Sequence, residues 1–299
     1  MNNTADLPPG LDELENRVDQ ALSSGDESAI EVLGYGEISC VLAWRREGDG
    51  LAAKRLPLFD TDARFARYTE AFGNYLEALD HAGLQVVPSR LATTPAANGQ
   101  IAAWCLQPLL DPKALAPEWL RTADDNGARR LLGRIADHVV SAVGPTLGLD
   151  GQLSNWAVVD GEARYFDVTT PMMRDAHGHE VLDTDLFLAS LPFALRGLVR
   201  RFLLHTILDK YYDPRGVLVD LLGNLIKEGA DARLSLGLEV VNSNVEPAVT
   251  ETEVRRYYRE DALMWELLQL FRRVDRAWQR RIRRRQYPFL LPGKVKRRV

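Results

Sequence analysis

The chain has 299 residues, 46% of them hydrophobic, with 37 basic and 42 acidic side chains, the composition of an ordinary soluble globular protein with enough apolar material for one large core or two packed lobes. No apolar run reaches the roughly 18 residues needed to span a bilayer, Met1 to Gly10 does not read as a signal peptide, and the isolated Cys40 and Cys105 read as reduced core thiols of a cytoplasmic protein. Charge is uneven: residues 272–299 carry 12 Lys/Arg against one acid, which leaves the preceding 271 residues at −16 and argues against nucleic-acid binding by the body of the protein.

Leu11, Leu14, Val18 and Leu22 recur at helical spacing, so a short amphipathic helix is expected within an N-terminal extension, residues 1–28. From Ala29 the period changes to that of strands. Gly34-Tyr35-Gly36-Glu37-Ile38-Ser39 lies between two of them, and glycines there let backbone N–H groups approach phosphate oxygens that a Cβ would keep away. Leu51 to Leu56 is an apolar strand containing Lys54, whose burial costs several kcal/mol unless it is paired. The helix expected over Thr61 to His81 offers Glu70 and Glu77 off its apolar stripe, with Glu70 preferred as the partner. Asn98-Gly99 is a hairpin signal leading into Ile101 to Pro108. Asp124 to Gly144 reads as a helix, with His138 a structural histidine at the border of its apolar stripe.

Gly148 to Asp167 is the stretch to which the rest is referred. Asp160-Gly161 between two short apolar runs predicts a two-residue hairpin pairing Val159 with Glu162 and Trp156 with Tyr165. Its arms then end together, so Asn155 and Asp167 emerge side by side, with Asp150 in the loop that feeds the first arm. Two carboxylates and an amide oxygen form a hard donor set of the kind that binds Mg²⁺ together with substrate phosphates.

The order of features (glycine turn, strand Lys, helix Glu, then Asp-x4-Asn, a hairpin and Asp) resembles the aminoglycoside phosphotransferase and choline kinase family. Gly148-Leu149, Gln152 and Asp167-Val168-Thr169 depart from that family's loop residues. The resemblance spans roughly residues 30 to 190 and implies an α+β, two-lobed protein-kinase-like fold. Residues 29–108 would form a small antiparallel-sheet lobe with one helix, and residues 109–271 a larger, mostly helical one. It also implies ATP and Mg as cofactors and a small-molecule hydroxyl as acceptor. Asp150 would orient that hydroxyl, Asn155 and Asp167 would bind the metal, and Lys54 held by Glu70 would grip the phosphates. The turn at Gly34, Tyr35, Gly36 and Ser39 would cover the nucleotide, whose adenine would bond backbone groups near Trp104, Leu106 and Gln107. Asp185 resembles the family's brace for the catalytic loop. Loss of the family's loop histidines keeps open a pseudokinase or nucleotide-binding module without turnover.

Beyond this, His177-Gly178-His179 is read as a loop, a helical run is expected from Asp183 to near His205, another helix from Val217 to Ile226, and a loop-rich connection from Arg233 to Pro247. Thr250 to Ile282 is a long helix whose arginine-rich end opens the basic tail, residues 272–299. The tail either covers the acidic body or meets an anionic partner such as lipid, nucleic acid or a phosphorylated acceptor. Acceptor identity and oligomeric state are not legible.

Overall fold

Alternating side chains between Val32 and Pro108 build a single five-stranded antiparallel sheet in the computed structural model, which describes residues 10–36, 39–45, 50–188, 197, 208–284, 287, 289 and 290. Its strands are β1 (Val32–Tyr35), β2 (Cys40–Arg45), β3 (Gly50–Arg55), β4 (Arg90–Pro95) and β5 (Ile101–Pro108), in the order β1-β2-β3-β5-β4. Period-2 alternation sends neighbouring residues to opposite faces. Ala53, Trp104 and Leu106 pack with Leu11, Leu14, Val18 and Leu22 of helix α1 (Leu11–Ser24) on one side. On that side the Arg55 guanidinium makes a bidentate pair with Glu15, Nε to Oε2 at 2.9 Å and Nη2 to Oε1 at 2.6 Å. Cys105 faces the other way, into a core shared with Tyr68, Phe72, Tyr75 and Leu79 of helix α2 (Asp62–His81). Lys54, its partner across β3 and β5, lies between Ala53 and Arg55 and so takes that second face.

The second core continues into the helical remainder: α3 (Ala116–Thr122), α4 (Asp125–Ala142), α5 (Thr184–Leu188), α6 (Pro214–Lys227), α7 (Leu234–Asn242) and α8 (Glu251–Arg281). Several helix starts carry side-chain caps. Asp124 accepts from the Gly127 N–H and Thr250 from the Glu253 N–H, satisfying donors that a helix terminus leaves open. Among the described residues no helix is long and apolar enough to cross a membrane.

The hairpin β6 (Trp156–Val159) and β7 (Glu162–Tyr165) has the expected register, Val159 opposite Glu162 and Trp156 opposite Tyr165. Asp160 at φ 55° and Gly161 at φ 81° supply the two left-handed positions. His138 stacks on Trp156 at 5.8 Å, as a structural histidine would.

One expectation needs correction. The connection from Arg233 to Pro247 contains helix α7, because Leu234, Gly237, Val240 and Val241 recur at helical spacing and are buried. Gly237 allows the close packing: a Cβ there would meet Leu222 Cδ2 at 2.8 Å and Leu225 Cδ1 at 3.0 Å. The long helix expected over Thr250 to Ile282 is α8, continuous from Glu251 to Arg281, so the basic segment from residue 272 begins as its end. The helical run beyond Leu188 toward His205, and the tail beyond Leu290, lie outside the described residues, apart from Gly197.

Candidate functional site

The hairpin's open end is held shut by backbone and amide bonds. Phe166 N–H donates to the Asn155 carbonyl at 3.0 Å, and the Asn155 side-chain amide donates to the Asp150 carbonyl at 3.1 Å, while the Asp150 carboxylate accepts from the Gln152 N–H at 3.3 Å. Asp150, Asn155 and Asp167 are thus tied to one frame. Three neighbours fix that frame to the sheet and α2. In the chain after α2, Val87 N–H donates to the Tyr165 carbonyl at 2.8 Å and the Gln85 carbonyl accepts from Tyr165 N–H at 2.9 Å; Tyr75 donates to the Gly148 carbonyl at 3.1 Å, and Tyr68 donates to the Thr169 carbonyl at 3.0 Å. Gln107, at the end of β5, donates to both the Phe166 carbonyl and Ser89 Oγ at 2.8 Å.

Lys54 is the residue that joins sheet and hairpin. Its Nζ lies 2.6 Å from Asp167 Oδ1, with the two side chains 17% and 26% exposed. Partial burial of both makes removing one partner costlier than at a surface salt bridge, since the other charge is left incompletely hydrated. The expected partner is therefore corrected: Lys54 pairs with Asp167, whereas Glu70 is exposed and Glu77 likewise, neither with an ion pair among the described residues. The physical reason is α2's orientation, which buries Tyr68, Phe72 and Tyr75 and turns position 70 to solvent.

The site also contains residues that sequence reasoning passed over. Asp220 on α6 is buried, accepts from Tyr257 at 2.9 Å and Gln152 Nε2 at 3.3 Å, and lies 3.8 Å from Lys210 Nζ. Gln152 extends the network to Lys227 Nζ at 3.0 Å and Asn224 Nδ2 at 3.3 Å. The signal available in the sequence was a lone acid in the apolar run Val217 to Leu222, which burial forces into a hydrogen-bonded role. Burial, then the Asp220 and Asp167 charges, push the Asp150 carboxyl up to about 7. It therefore exchanges its proton near neutrality, as a general base must.

Other expected contacts are not brought together. β5 is flanked by β3 and β4 through Trp104 and Leu106, so the backbone groups there serve the ladders. The Trp104 and Leu106 side chains are buried toward α1. Only from Gln107 onward, where pairing with β4 has ended, does β5 present an open edge. At the glycine turn, Gly36 N–H donates to the Ser39 carbonyl at 2.9 Å, and a Cβ on Gly36 would meet Ser39 Oγ at 2.6 Å. Gly34 has open space around it, Tyr35 donates to Glu27 at 2.6 Å, and Glu37 and Ile38 lie outside the described residues. Asp185 is exposed, and its N–H bonds Asp183, whose carboxylate holds Arg64 of α2 at 2.7 Å. Among the described residues no group of three or more His, Cys, Asp or Glu is arranged to hold a metal ion.

A mixed α and β protein with a lysine and carboxylates gathered at a hairpin mouth is what fold and site define. The chain belongs to DUF6206, a family of unknown function whose sequence pattern matches residues 13–276. No curated protein matches it. Among solved structures, WaaP in complex with acyl carrier protein is similar at 13% identity with a TM-score of 0.40, covering 90% of this chain and 98% of that one.

Proposed function

We propose that this protein is a phosphotransferase of the protein-kinase-like class, moving the γ-phosphoryl group of ATP to a hydroxyl of a small molecule in a Mg²⁺-dependent reaction. One observation carries the reading. The hairpin 156–165 delivers Asn155 and Asp167 to one mouth, with Asp150 beside them and the strand lysine Lys54 bonded to Asp167 at 2.6 Å. Lys54 is the cation for the phosphates, and the Asn155 amide oxygen with the Asp167 carboxylate is a hard-oxygen pair suited to Mg²⁺. Such a pair needs few protein groups beyond it, so the lack of a three-residue cluster among the described residues is no obstacle. Bound Mg²⁺–nucleotide supplies the transferable phosphoryl group and neutralises charge on its oxygens. Asp150, ionised above about pH 7, accepts the proton of the acceptor hydroxyl as that oxygen bonds phosphorus and the β–γ bridging bond breaks.

Transfer of labelled γ-phosphate to a panel of alcohols tests this. Asp150→Ala and Asp167→Ala should each remove the activity and leave circular dichroism unchanged; turnover that survives in both rejects the assignment. A second reading, a nucleotide-binding module without turnover, is favoured by the exposure of Glu70 and by the engagement of Lys54 with Asp167 rather than with a helix acid. Nucleotide-induced stabilisation without transfer to any alcohol would select it.

A further inference from the structure

The second half of α8 is built inside out. Up to Ala262 the helix is conventional, with Val254, Tyr258 and Ala262 buried. From there the polarity inverts. Met264, Leu267, Phe271, Val274, Trp278 and Ile282 form one stripe at three- and four-residue spacing, joined by Leu263 and Leu270, and all eight are 38% to 69% exposed. Beyond Ala262 the buried residues are polar, Gln269, Arg272 and Asp275 at 3%, 1% and 7% exposed, with Trp265 and Leu268 half-buried beside them. At 3.6 residues per turn Gln269 and Arg272 lie on the side of the helix away from the stripe, and Asp275, four residues from Phe271, lies at its border. Arg280 fixes this orientation by donating to the Leu22 carbonyl of α1 at 2.6 Å, and Arg272 lies 5.8 Å from the Phe289 ring. Single exposed apolar residues are ordinary, but a continuous stripe about 30 Å long is a surface made to be covered.

Charge identifies what covers it. Between Arg272 and Arg284 there are seven arginines and one acid, and Arg281 at the helix end and Arg283 and Arg284 just past it are exposed. Laid side by side in parallel, two copies of the helix would bring these arginine-rich ends together, at a cost in repulsion. An anionic bilayer surface matches both features, since an interfacial helix buries its aromatic and aliphatic side chains at the headgroup boundary and meets anionic lipid with Arg and Lys. We propose that α8 is a membrane-surface element: its Leu263 to Ile282 face lies flat on anionic lipid, with the arginines in the headgroup layer. The inference is independent of the phosphotransfer reading.

Flotation of the full chain with phosphatidylglycerol–phosphatidylcholine vesicles, against phosphatidylcholine alone, tests it. The chain should float with the anionic vesicles, less with the neutral ones, and be released by salt. Leu267→Glu with Trp278→Glu should weaken partitioning about a hundredfold, whereas Val140→Glu, an exposed apolar position on α4, should not. Arg281→Glu with Arg284→Glu should remove the preference for anionic lipid without touching any buried side chain. Failure of the wild-type chain to float overturns the proposal, as does flotation that survives both double variants. A solution dimer that the Leu267 and Trp278 variant converts to monomer also overturns it, and assigns the face to a second copy of the chain.

Discussion

Asp150 stands within reach of the Asp220 and Asp167 charges, and its raised pKa has consequences of opposite sign for activity and stability. As a base it works ionised, so the transfer rate should climb with pH through about 7. Asp220→Asn removes one of the charges that raise it, and should move the midpoint of that climb downward in a pH–rate profile. For stability the folded state favours the protonated acid. Its contribution is complete below the ordinary carboxylate pKa and is lost as pH rises toward 7. The gain in melting temperature from Asp150→Asn should therefore grow between about pH 4 and 7 and level off above. Glu70 provides the contrast. Exposed and without an ion pair among the described residues, it should tolerate Glu70→Gln with a change within about 0.5 kcal/mol in denaturant titration.

At the scale of elements, α1 is held to the sheet by a charged pair inside an apolar contact. The Arg55 and Glu15 side chains are 7% and 3% exposed, so neither regains water if its partner is removed. Glu15→Ala should cost about 3–5 kcal/mol in urea unfolding, with much of the loss recovered by the double replacement Glu15→Leu, Arg55→Leu. The hairpin β6–β7 works differently. Its turn is local chemistry, but its position depends on Tyr75 and Gln107, which hold the Gly148 and Phe166 carbonyls from outside.

For the molecule as a whole, the proposed function requires sheet, α2, hairpin and α6 to act as one ligand site. Magnesium and ATP at a hundredfold above the dissociation constant should stabilise the chain by about 2.7 kcal/mol. In a thermal-shift measurement Lys54→Met should lose most of that gain, while its ligand-free melt reports the cost of unpairing Asp167. A nucleotide shift undiminished in Lys54→Met would place binding elsewhere.

What could be read from the sequence was local. The Asp160-Gly161 turn, the register it imposes and the helix over 62–81 follow from short-range geometry, in which left-handed positions and a two-residue period leave few alternatives. Partners set by helix rotation and strand neighbours were decided only in three dimensions. Lys54 announces by its apolar strand that it needs a counter-charge, but whether Glu70 or Asp167 supplies it depends on which face α2 buries. Asp220 arrives beside Asp150 from 70 residues away in the chain, and the backbone of Trp104 to Leu106 is closed to ligands because β4 folds back beside β5. Pattern fixes what each residue requires, whereas packing alone chooses which distant group meets that requirement.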